Sequence, residues 1–188
     1  MEQALLISGS SHTEPIEAHR SVTRTFAFID VVGSTRLIDA IGDAAWVRLL
    51  SWHERELEHL FAHHQGELVD QAGDGFFVSF VDPCAAIDCA VAIQRLLAHH
   101  RRRQGFALDF RIGLHRAEVL RCGLAYRGKG VHVGARIAAQ ASAGEILASR
   151  ETVQAARASV PASRLRTVIL EGISEPIQLL QIKWTRSG

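Results

Sequence analysis

Two aspartates stand at positions where their carboxylates could bind metal ions. Asp30 lies near the end of an apolar run, residues 25–32, and Asp74 lies in the Gly-Asp-Gly turn of a hairpin pattern. An ionised carboxylate in an apolar strand is costly unless it is paired or metal-bound. On neighbouring strands, the two side chains would converge on divalent cations such as Mg²⁺ or Mn²⁺, which take oxygen ligands and bridge to substrate phosphates. The residue types also allow a simpler interpretation, in which Asp30 caps a strand and Asp74 is only a turn residue.

The segment after Asp30 has the composition of a phosphate-binding turn. Gly33, Ser34 and Thr35 stand where the apolar strand gives way to a helical pattern, and Ser34 is the expected N-cap. Free backbone N–H groups and the helix dipole attract anions at such a terminus. We therefore expect these three residues to bind the phosphates of a substrate.

Hydrophobic periodicity and turn residues predict a mixture of strands and helices along the chain. The predicted strands are residues 25–32, 67–71, 76–80, 107–114, 118–122, 145–148, 165–170 and 177–183, and the predicted helices are residues 34–41, 43–64, 83–102, 131–141 and 150–158. This order indicates an α+β fold with a mostly antiparallel sheet, a β-α-β-β-α-β core and a small C-terminal α/β extension. We assign residues 1–22 to an N-terminal arm and residues 23–188 to a single domain.

The composition favours a globular protein that binds neither nucleic acid nor a membrane. The 188-residue chain is 47% hydrophobic and 22% charged, with a net charge of +1. No apolar run approaches the roughly 20 residues that cross a bilayer, and the N-terminus has an acid where a signal peptide carries basic residues. We therefore expect a cytoplasmic protein. Its cysteines, Cys84, Cys89 and Cys122, are predicted to be free thiols because no Cys-x-x-Cys pair occurs.

Four segments of the chain carry a resemblance to a known family. They are residues 28–35, 73–76, 111–115 and 131–139, with the sequences FIDVVGST, GDGF, RIGLH and VHVGARIAA. In content, order and spacing, these segments resemble the catalytic domains of class III adenylate and guanylate cyclases over residues 24–183. The resemblance implies the cyclase palm, a ferredoxin-like fold. It also implies an enzyme that converts a nucleoside triphosphate into a 3′,5′-cyclic monophosphate and pyrophosphate.

The resemblance implies a role for each matching residue. Asp30 and Asp74 correspond to the metal-binding aspartates, which would hold two divalent cations, Mn²⁺ or Mg²⁺. Arg136 corresponds to the arginine that stabilises the transition state. His132 stands where many members have a ribose-orienting asparagine, and a histidine can still donate a hydrogen bond, although the residue types alone also allow both side chains a place in the core. Because such sites form between two protomers, with the metals held by one and the base reader and arginine supplied by the other, the resemblance implies a symmetric homodimer.

The positions that read the base depart from the family pattern. Adenylate cyclases usually have a lysine four residues before the second metal aspartate, and an Asp or Thr seven residues before the ribose position; this chain has Asp70 and Ala125 there. An ionised Asp70 would oppose the acceptor N1 of adenine, but it can take the N3–H of uracil or the N1–H of guanine. Guanylate cyclases usually combine a Glu with a small polar residue, which this pair reproduces only in part. We therefore favour UTP, giving cyclic UMP, and the alternative role of Asp70 is a solvated strand-edge acid.

A short chain with both purine-reading residues replaced resembles the stand-alone pyrimidine cyclases of bacterial anti-phage (Pycsar-type) systems. That resemblance implies a second messenger made in antiviral defence and a cyclic-nucleotide-sensing effector as functional partner. The alternatives are a guanylate, adenylate or promiscuous cyclase, and a catalytically inactive cyclase-like regulatory dimer. A diguanylate cyclase is not indicated, because no G-G-[DE]-E-F stretch occurs.

A further departure concerns the contact with the triphosphate. Many bacterial relatives have a Lys-Gly pair near the C-terminus whose basic side chain can touch phosphate, and this chain has Glu171 and Gly172 instead. Lys129, Arg127 or Arg116 could supply the missing contact. The sequence does not rank these three, and surface solvation is the alternative role of each.

Overall fold

The fold is one sheet with helices packed on both of its faces. The computed structural model describes residues 20–157 and 161–185. The strands are β1 (Arg20–Val31), β2 (Glu67–Ala72), β3 (Gly75–Phe80), β4 (Phe110–Cys122), β5 (Ala125–Arg127), β6 (Ile146–Ser149), β7 (Arg166–Val168) and β8 (Ile177–Gln181), and the helices are α1 (Ser34–Ile41), α2 (Asp43–His63), α3 (Pro83–Gln104), α4 (Lys129–Gln140) and α5 (Arg150–Ala156). No helix in the described ranges is long and apolar enough to cross a membrane.

The strands are hydrogen-bonded in the order β2-β3-β1-β4-β6-β8-β7, and β5 pairs with β4 outside this path. β4 and β6 run parallel, and the other paired strands run antiparallel. The predicted α+β fold, with its mostly antiparallel sheet and β-α-β-β-α-β core, is therefore confirmed.

The central strand β1 presents different residues to the two faces of the sheet, because successive side chains of a strand alternate. Ala27, Ile29 and Val31 are buried in the main core, to which α2 and α3 also contribute. Phe26 and Phe28 belong to an apolar cluster on the opposite face. The alternation puts Asp30 on this second face.

Helix α4 lies very close to the second face of the sheet. A Cβ on Gly113 of β4 would stand 2.3 Å from the backbone nitrogen of Ala138, and a Cβ on Gly134 would stand 2.7 Å from the ring of Phe28. Both distances are well below van der Waals contact, so larger residues at either position would force the helix away from the sheet. This packing fixes the position of the helix that carries the two predicted catalytic residues.

The N-terminal arm expected over residues 1–22 is wrong in its last three residues. β1 begins at Arg20, which pairs with Arg121 of β4. Residues 1–19 lie outside the described part of the chain. The sheet therefore takes up a polar segment that its composition had assigned to the arm.

Residues 110–122, expected to belong to two strands at 107–114 and 118–122, form one continuous strand, β4. The strand is continuous because it pairs with β1, whose first half supplies hydrogen-bonding partners along the polar middle of β4. The three-residue strand β5 was not predicted. It lies within the Gly-rich stretch and folds back on β4 after Gly123, whose φ of 59° makes the turn.

The predicted free thiols are confirmed for all three cysteines. Cys84 donates a hydrogen bond from Sγ to the backbone oxygen of Ala156 at 2.7 Å. Burial raises the pKa of Cys89 to about 12, so this thiol stays protonated near neutral pH and is a poor nucleophile.

Candidate functional site

Asp30 and Asp74 are neighbours at the ends of adjacent strands. The register of β1 and β3 pairs Ile29 with Phe76, so Asp30 follows β1 to the level of Gly75. A Cβ on Gly75 would lie 3.7 Å from Oδ1 of Asp30. Asp74 is the residue directly before Gly75, in the turn between β2 and β3. The fold therefore brings the two aspartates that the sequence singled out to neighbouring positions of the sheet edge.

One oxygen of Asp74 has an environment that a cation would complete. Its Oδ2 is buried and has no hydrogen-bond partner among the described residues. A buried carboxylate oxygen without a partner costs free energy, and a bound cation would remove that cost. The described residues contain no group of three or more His, Cys, Asp or Glu side chains arranged to hold a metal. Two carboxylates fit Mg²⁺ or Mn²⁺ bound jointly with substrate phosphates, since these ions commonly keep non-protein oxygen ligands.

Arg111 of β4 neutralises Asp30. Its Nε donates a hydrogen bond to Oδ2 of Asp30 at 2.8 Å, and its Nη2 donates to the same oxygen. The two side chains are 32% and 34% exposed, Arg111 being the first. Sequence reasoning had assigned Arg111 only to a family motif. The cross-strand pairing of Asp30 with Arg111 reveals the role of Arg111. A single sequence does not show which residues pair across strands.

A cleft of about 490 Å³ connects this charged pair with α4 and the β2–β3 hairpin. Its charged lining consists of Asp30, Arg111 and Asp70. Phe28 and Phe77 form part of its apolar lining, and their rings stack with centroids 4.5 Å apart. The cleft therefore combines an apolar wall with a few charged groups at a volume typical of small-molecule sites.

The turn after Asp30 differs in one respect from the expectation. Ser34 is the first residue of α1, and the N-cap is Gly33 in the left-handed conformation, with φ 75° and no side-chain cap hydrogen bond. The prediction that Ser34 is the N-cap is therefore wrong, because the sharp turn from β1 into α1 requires a positive φ that favours glycine. Gly33 and Thr35 are exposed and Ser34 is half-buried, so the helix terminus is accessible beside Asp30.

Asp70 and Ala125 come together in a second groove, of about 290 Å³. The rest of its lining consists of Val69, Phe77, Leu124 and Tyr126. Asp70 is exposed on the edge strand β2, and its Oδ1 accepts a hydrogen bond from the backbone N–H of Gln71 at 2.9 Å. The carboxylate keeps further acceptor capacity. Because Asp70 also lines the larger cleft, the two cavities meet at this residue.

His132 and Arg136 lie on the exposed side of α4. They are four residues apart and so share one face of the helix, whereas the buried residues of α4 lie on the other face. A core position for either side chain is therefore wrong. Neither residue lines the cleft that contains Asp30. A single chain thus does not bring the predicted catalytic pair and the predicted metal ligands into one cavity.

Arg136 interacts with Glu171 of the loop after β7. Nη1 of Arg136 lies 3.4 Å from Oε2 of Glu171, and the side chains are 48% and 84% exposed. The acid therefore stands beside the predicted transition-state arginine, at the position where many relatives have a lysine.

The three basic residues considered for the triphosphate contact have other surroundings. Nζ of Lys129 donates to Oε2 of Glu175 at 2.7 Å, and this hydrogen bond holds the pKa of Glu175 below its usual value. Arg116 donates from Nη1 to Oγ1 of Thr25 at 3.3 Å, and Arg127 is exposed on β5. None of the three lines the 490 Å³ cleft, whereas Arg111 does.

Sequence comparison with known proteins identifies a family and two curated relatives. A family model described as "Adenylate and Guanylate cyclase catalytic domain" matches residues 15–180. The chain is 31% identical over 137 residues to the putative adenylate cyclase 3 of Rhizobium meliloti (strain 1021), which covers 70% of this chain and 23% of that protein. It is 30% identical over 168 residues to the serine/threonine-protein kinase pkn2 of Myxococcus xanthus, covering 87% of this chain and 20% of the kinase. The chain thus spans less than a quarter of the length of these curated relatives.

Solved structures give the same fold. The guanylyl cyclase Cya2 superposes with a TM-score of 0.80 at 23% identity, covering 87% of this chain and 93% of that one. The adenylyl cyclase CyaB from P. aeruginosa superposes with a TM-score of 0.80 at 24% identity, covering 89% and 97%. The palm expected from the sequence motifs is therefore confirmed.

Proposed function

The chain belongs to the family of adenylate and guanylate cyclase catalytic domains, and from this we propose that it is a nucleotidyl cyclase. It converts a nucleoside triphosphate into a 3′,5′-cyclic monophosphate and pyrophosphate, with UTP as the favoured substrate. The observation that carries the proposal is the position of Asp74 beside Asp30, with a buried oxygen that has no partner among the described residues. A domain that binds no cation gains nothing from such an arrangement, because an unpaired buried carboxylate oxygen destabilises the fold.

In the reaction the ribose 3′-hydroxyl loses its proton to solvent, its oxygen forms a bond to the α-phosphorus, and the bond from that phosphorus to the departing pyrophosphate breaks. Divalent cations at Asp30 and Asp74 would supply charge neutralisation on the triphosphate and a more acidic 3′-hydroxyl. The guanidinium of Arg111, already at Asp30, would donate hydrogen bonds to phosphate oxygens that come to lie there. The backbone N–H groups at residues 33–35 would bind the same phosphates. Positioning and charge neutralisation dominate phosphoryl transfer, so no side-chain nucleophile is required.

The active enzyme is a symmetric homodimer in this proposal. His132 and Arg136 are exposed and outside the cleft of their own chain, so they can act on the cleft of a second copy. There Arg136 would donate to phosphate oxygens as negative charge develops, and His132 would orient the ribose. Each of the two sites would then combine residues of both protomers.

The base would bind in the groove that contains Asp70 and Ala125. An ionised Asp70 can only accept hydrogen bonds, so it suits a base with a ring N–H, namely uracil or guanine. Ala125 donates no hydrogen bond to the O6 of guanine or to the O4 of uracil, so the preference for uracil rests on the analogy with pyrimidine cyclases, in which the purine-reading residues are altered. Adenine would present its acceptor N1 to the carboxylate, and a buried mismatch of this kind can reduce acceptance on the order of 10⁴-fold.

The biological role in this proposal is the synthesis of a second messenger. Replacement of both purine-reading residues is a property that the chain has in common with the pyrimidine cyclases of anti-phage systems. By that analogy, cyclic UMP would be sensed by an effector in antiviral defence. Infection of cells that carry the intact gene and its neighbours, with cyclic nucleotides measured over time, would test this role.

A catalytically inactive regulatory dimer is the second candidate. It is favoured by two ion pairs, since Asp30 is paired with Arg111 and Arg136 is paired with Glu171. Such a domain would bind a nucleotide without turning it over. Both pairs are partly exposed, and water and salt weaken ion pairs of this kind, so substrate can displace them.

The deciding experiment incubates the purified protein with ATP, GTP, CTP or UTP and Mn²⁺ and identifies the products by mass spectrometry. Cyclic UMP as the main product supports the full proposal, and cyclic AMP as the main product contradicts the base assignment. Nucleotide binding without any cyclic product would support the regulatory dimer. Asp30→Ala and Asp74→Ala should each abolish turnover while the dimer survives in size-exclusion chromatography, and activity retained in both variants would contradict the metal assignment.

A further inference from the structure

We propose that Glu67 is a positioning residue that fixes Asp70 and Ala125 relative to each other and thereby sets the base preference. The inference rests on the proposed function and deepens it, since it concerns the same groove. Its basis is a polar link between β2, which carries Asp70, and the β4–β5 hairpin, which carries Ala125. No part of the family resemblance assigns a role to Glu67.

Both oxygens of Glu67 are used by residues of the β4–β5 hairpin. Oε1 accepts a hydrogen bond from Nη2 of Arg121 at 2.8 Å, and Oε2 accepts one from the hydroxyl of Tyr126 at 2.8 Å. The guanidinium of Arg121 also lies over the ring of Tyr126, 5.4 Å from its centroid. Tyr126 directly follows Ala125, so the carboxylate holds the residue next to the base-reading position.

This link joins elements that the sheet itself keeps apart. β3 and β1 lie between β2 and β4 in the strand order, and within residues 20–157 and 161–185 β5 pairs with β4 alone. No backbone ladder therefore sets the distance between β2 and β5. Side-chain contacts must set it, and Glu67 supplies the hydrogen-bonded part of them.

A bulge in β2 places Glu67 and Asp70 on the same face of the sheet. Residues three apart on a regular strand point to opposite faces. Here Glu67 pairs with Ser79 and Asp70 pairs with Phe77, because the register shifts between Leu68 and Asp70. Paired residues of an antiparallel ladder share a face, and bulges are known to redirect side chains in this way. The bulge is therefore what lets one short strand contact the hairpin with Glu67 and line the groove with Asp70.

An aromatic cluster beneath the link connects the same two positions. The ring of Phe26 lies 5.3 Å from that of Tyr126 and 5.4 Å from that of Phe77, between centroids. Phe77 is the register partner of Asp70. The rings support the groove from below, but apolar contacts tolerate small sliding movements, whereas two hydrogen bonds to one carboxylate fix a direction as well as a distance.

The link contributes little to global stability, because the side chains of Arg121 and Glu67 are 33% and 37% exposed. Its loss should therefore act on the geometry of the groove. Glu67→Gln keeps the size of the side chain but removes the charge and turns one acceptor into a donor. We expect the ratio of kcat/KM for UTP over GTP to change on the order of tenfold, mainly through KM, since a displaced Asp70 would meet the ring N–H of a pyrimidine and that of a purine with different geometry. Tyr126→Phe, which removes one of the two contacts, should shift the ratio in the same direction by less.

Arg166→Gln is the matched control. Arg166 lies on β7, the opposite edge of the sheet, and its Nη2 forms a partly exposed ion pair with Glu145 at 3.3 Å. This variant should keep the wild-type base preference. Dissociation constants of the four nucleoside triphosphates, measured by calorimetry, provide a second readout that does not depend on turnover.

The outcomes distinguish a failure of the positioning role of Glu67 from a failure of the proposed cyclase function. A changed UTP-to-GTP ratio in Glu67→Gln and Tyr126→Phe, with the wild-type ratio in Arg166→Gln, supports the positioning role. An unchanged ratio in both groove variants overturns it, as does an equal loss for all four nucleotides accompanied by a lower unfolding temperature. If the wild type makes no cyclic nucleotide, the proposed function fails, and the pattern of dissociation constants still decides the role of Glu67.

Discussion

The guanidinium of Arg111 donates two hydrogen bonds to a single oxygen of Asp30, one of them from Nε at 2.8 Å. The other oxygen of Asp30 faces Gly75 and the turn that holds Asp74. A cation that binds both aspartates must therefore compete with Arg111 for Asp30, or share that carboxylate with it. A cation that displaces Arg111 from Asp30 would leave its guanidinium free to bind a phosphate group.

Replacing Arg111 should separate its competition with the cation from its contact with the substrate phosphates. Arg111→Gln should tighten the binding of Mn²⁺ measured without nucleotide, because the competing positive charge is gone. It should also raise KM for the substrate about tenfold, since a charge-assisted hydrogen bond is worth about 1.5–3 kcal/mol and 1.4 kcal/mol is a factor of ten. Calorimetry with Mn²⁺ alone and steady-state kinetics measure the two quantities. Arg111→Lys, which keeps the charge without the planar fork, should be intermediate, and unchanged Mn²⁺ affinity in Arg111→Gln would contradict the competition.

The two aspartates should differ in their effect on stability. Asp74→Asn replaces a buried charged oxygen without a partner by a neutral amide, so it should raise the free energy of unfolding by about 1 kcal/mol in the absence of divalent ions. Asp30→Asn breaks the ion pair with Arg111 and should bring no such gain. Urea denaturation in EDTA measures both. Added Mn²⁺ should stabilise the wild type and have less effect on Asp74→Asn, and equal stabilisation of the two proteins would contradict metal binding by Asp74.

Variants of the two halves of the site should complement each other. Asp74→Asn and Arg136→Ala should each be inactive as homodimers. When the two chains are unfolded together and refolded at equal concentrations, half of the dimers are mixed and one of their two sites is intact, so about a quarter of wild-type activity should return. Each variant refolded alone is the control. If the mixture stays inactive while mixed dimers are present by native mass spectrometry, the metal ligands and Arg136 do not act in one site.

Much of the fold was predictable from the sequence, and two of the errors have one physical origin. The helices and the β2–β3 hairpin follow from apolar periodicity and from the Gly-Asp-Gly turn. The break expected in β4 at residues 115–117 and the arm expected over residues 1–22 are the same mistake, because Arg20–Arg24 pair with this polar half of β4. Many of the side chains paired there are polar and exposed or half-buried, so the segment gives only a weak apolar signal.

The residues of the candidate site also fall into those that the sequence identified and those that it missed. Asp30 is conspicuous in the sequence because an acid is unusual in an apolar strand, whereas Asp74 stands in a common type of turn and gained its weight from the family resemblance. His132 and Arg136 were identified only by that resemblance. Arg111 and Glu67 were missed, since each acquires its importance from a residue on another strand. A single sequence does not show which strands are neighbours, and the bulge in β2 could not be read from it either.

The buried His115 should make stability depend on pH. Its Nδ1 lies 2.9 Å from Oγ of Ser149, and burial lowers its pKa below the usual value of 6.5. The unfolded chain therefore binds the proton first, so stability is present above about pH 6.5 and is lost as the pH falls below it. Urea midpoints at pH 7.5 and 5.5 should show this loss in the wild type and a smaller one in His115→Gln. An identical pH dependence of the two proteins would assign the effect to other groups, of which the buried His53 is one, since burial lowers its pKa as well.

Glu171 should restrain Arg136. The acid lies 3.4 Å from the guanidinium and is 84% exposed, so the contact competes with the phosphate groups that Arg136 would bind, yet it is easily broken. Glu171→Gln should raise kcat about threefold, a change of roughly 0.7 kcal/mol that lies within the range of exposed ion pairs. Glu171→Lys should raise it further and lower KM, because the new cation can itself contact the triphosphate.

Glu175→Gln is the control for this effect, since Glu175 is also exposed, lies four residues away and pairs with Lys129 at 2.7 Å. It removes the same charge from the same loop without touching Arg136, and kcat should stay at the wild-type value. Added salt should narrow the difference between wild type and Glu171→Gln, because exposed ion pairs are screened. If both substitutions raise kcat equally, the gain comes from net charge, and the contact with Arg136 does not restrain the enzyme.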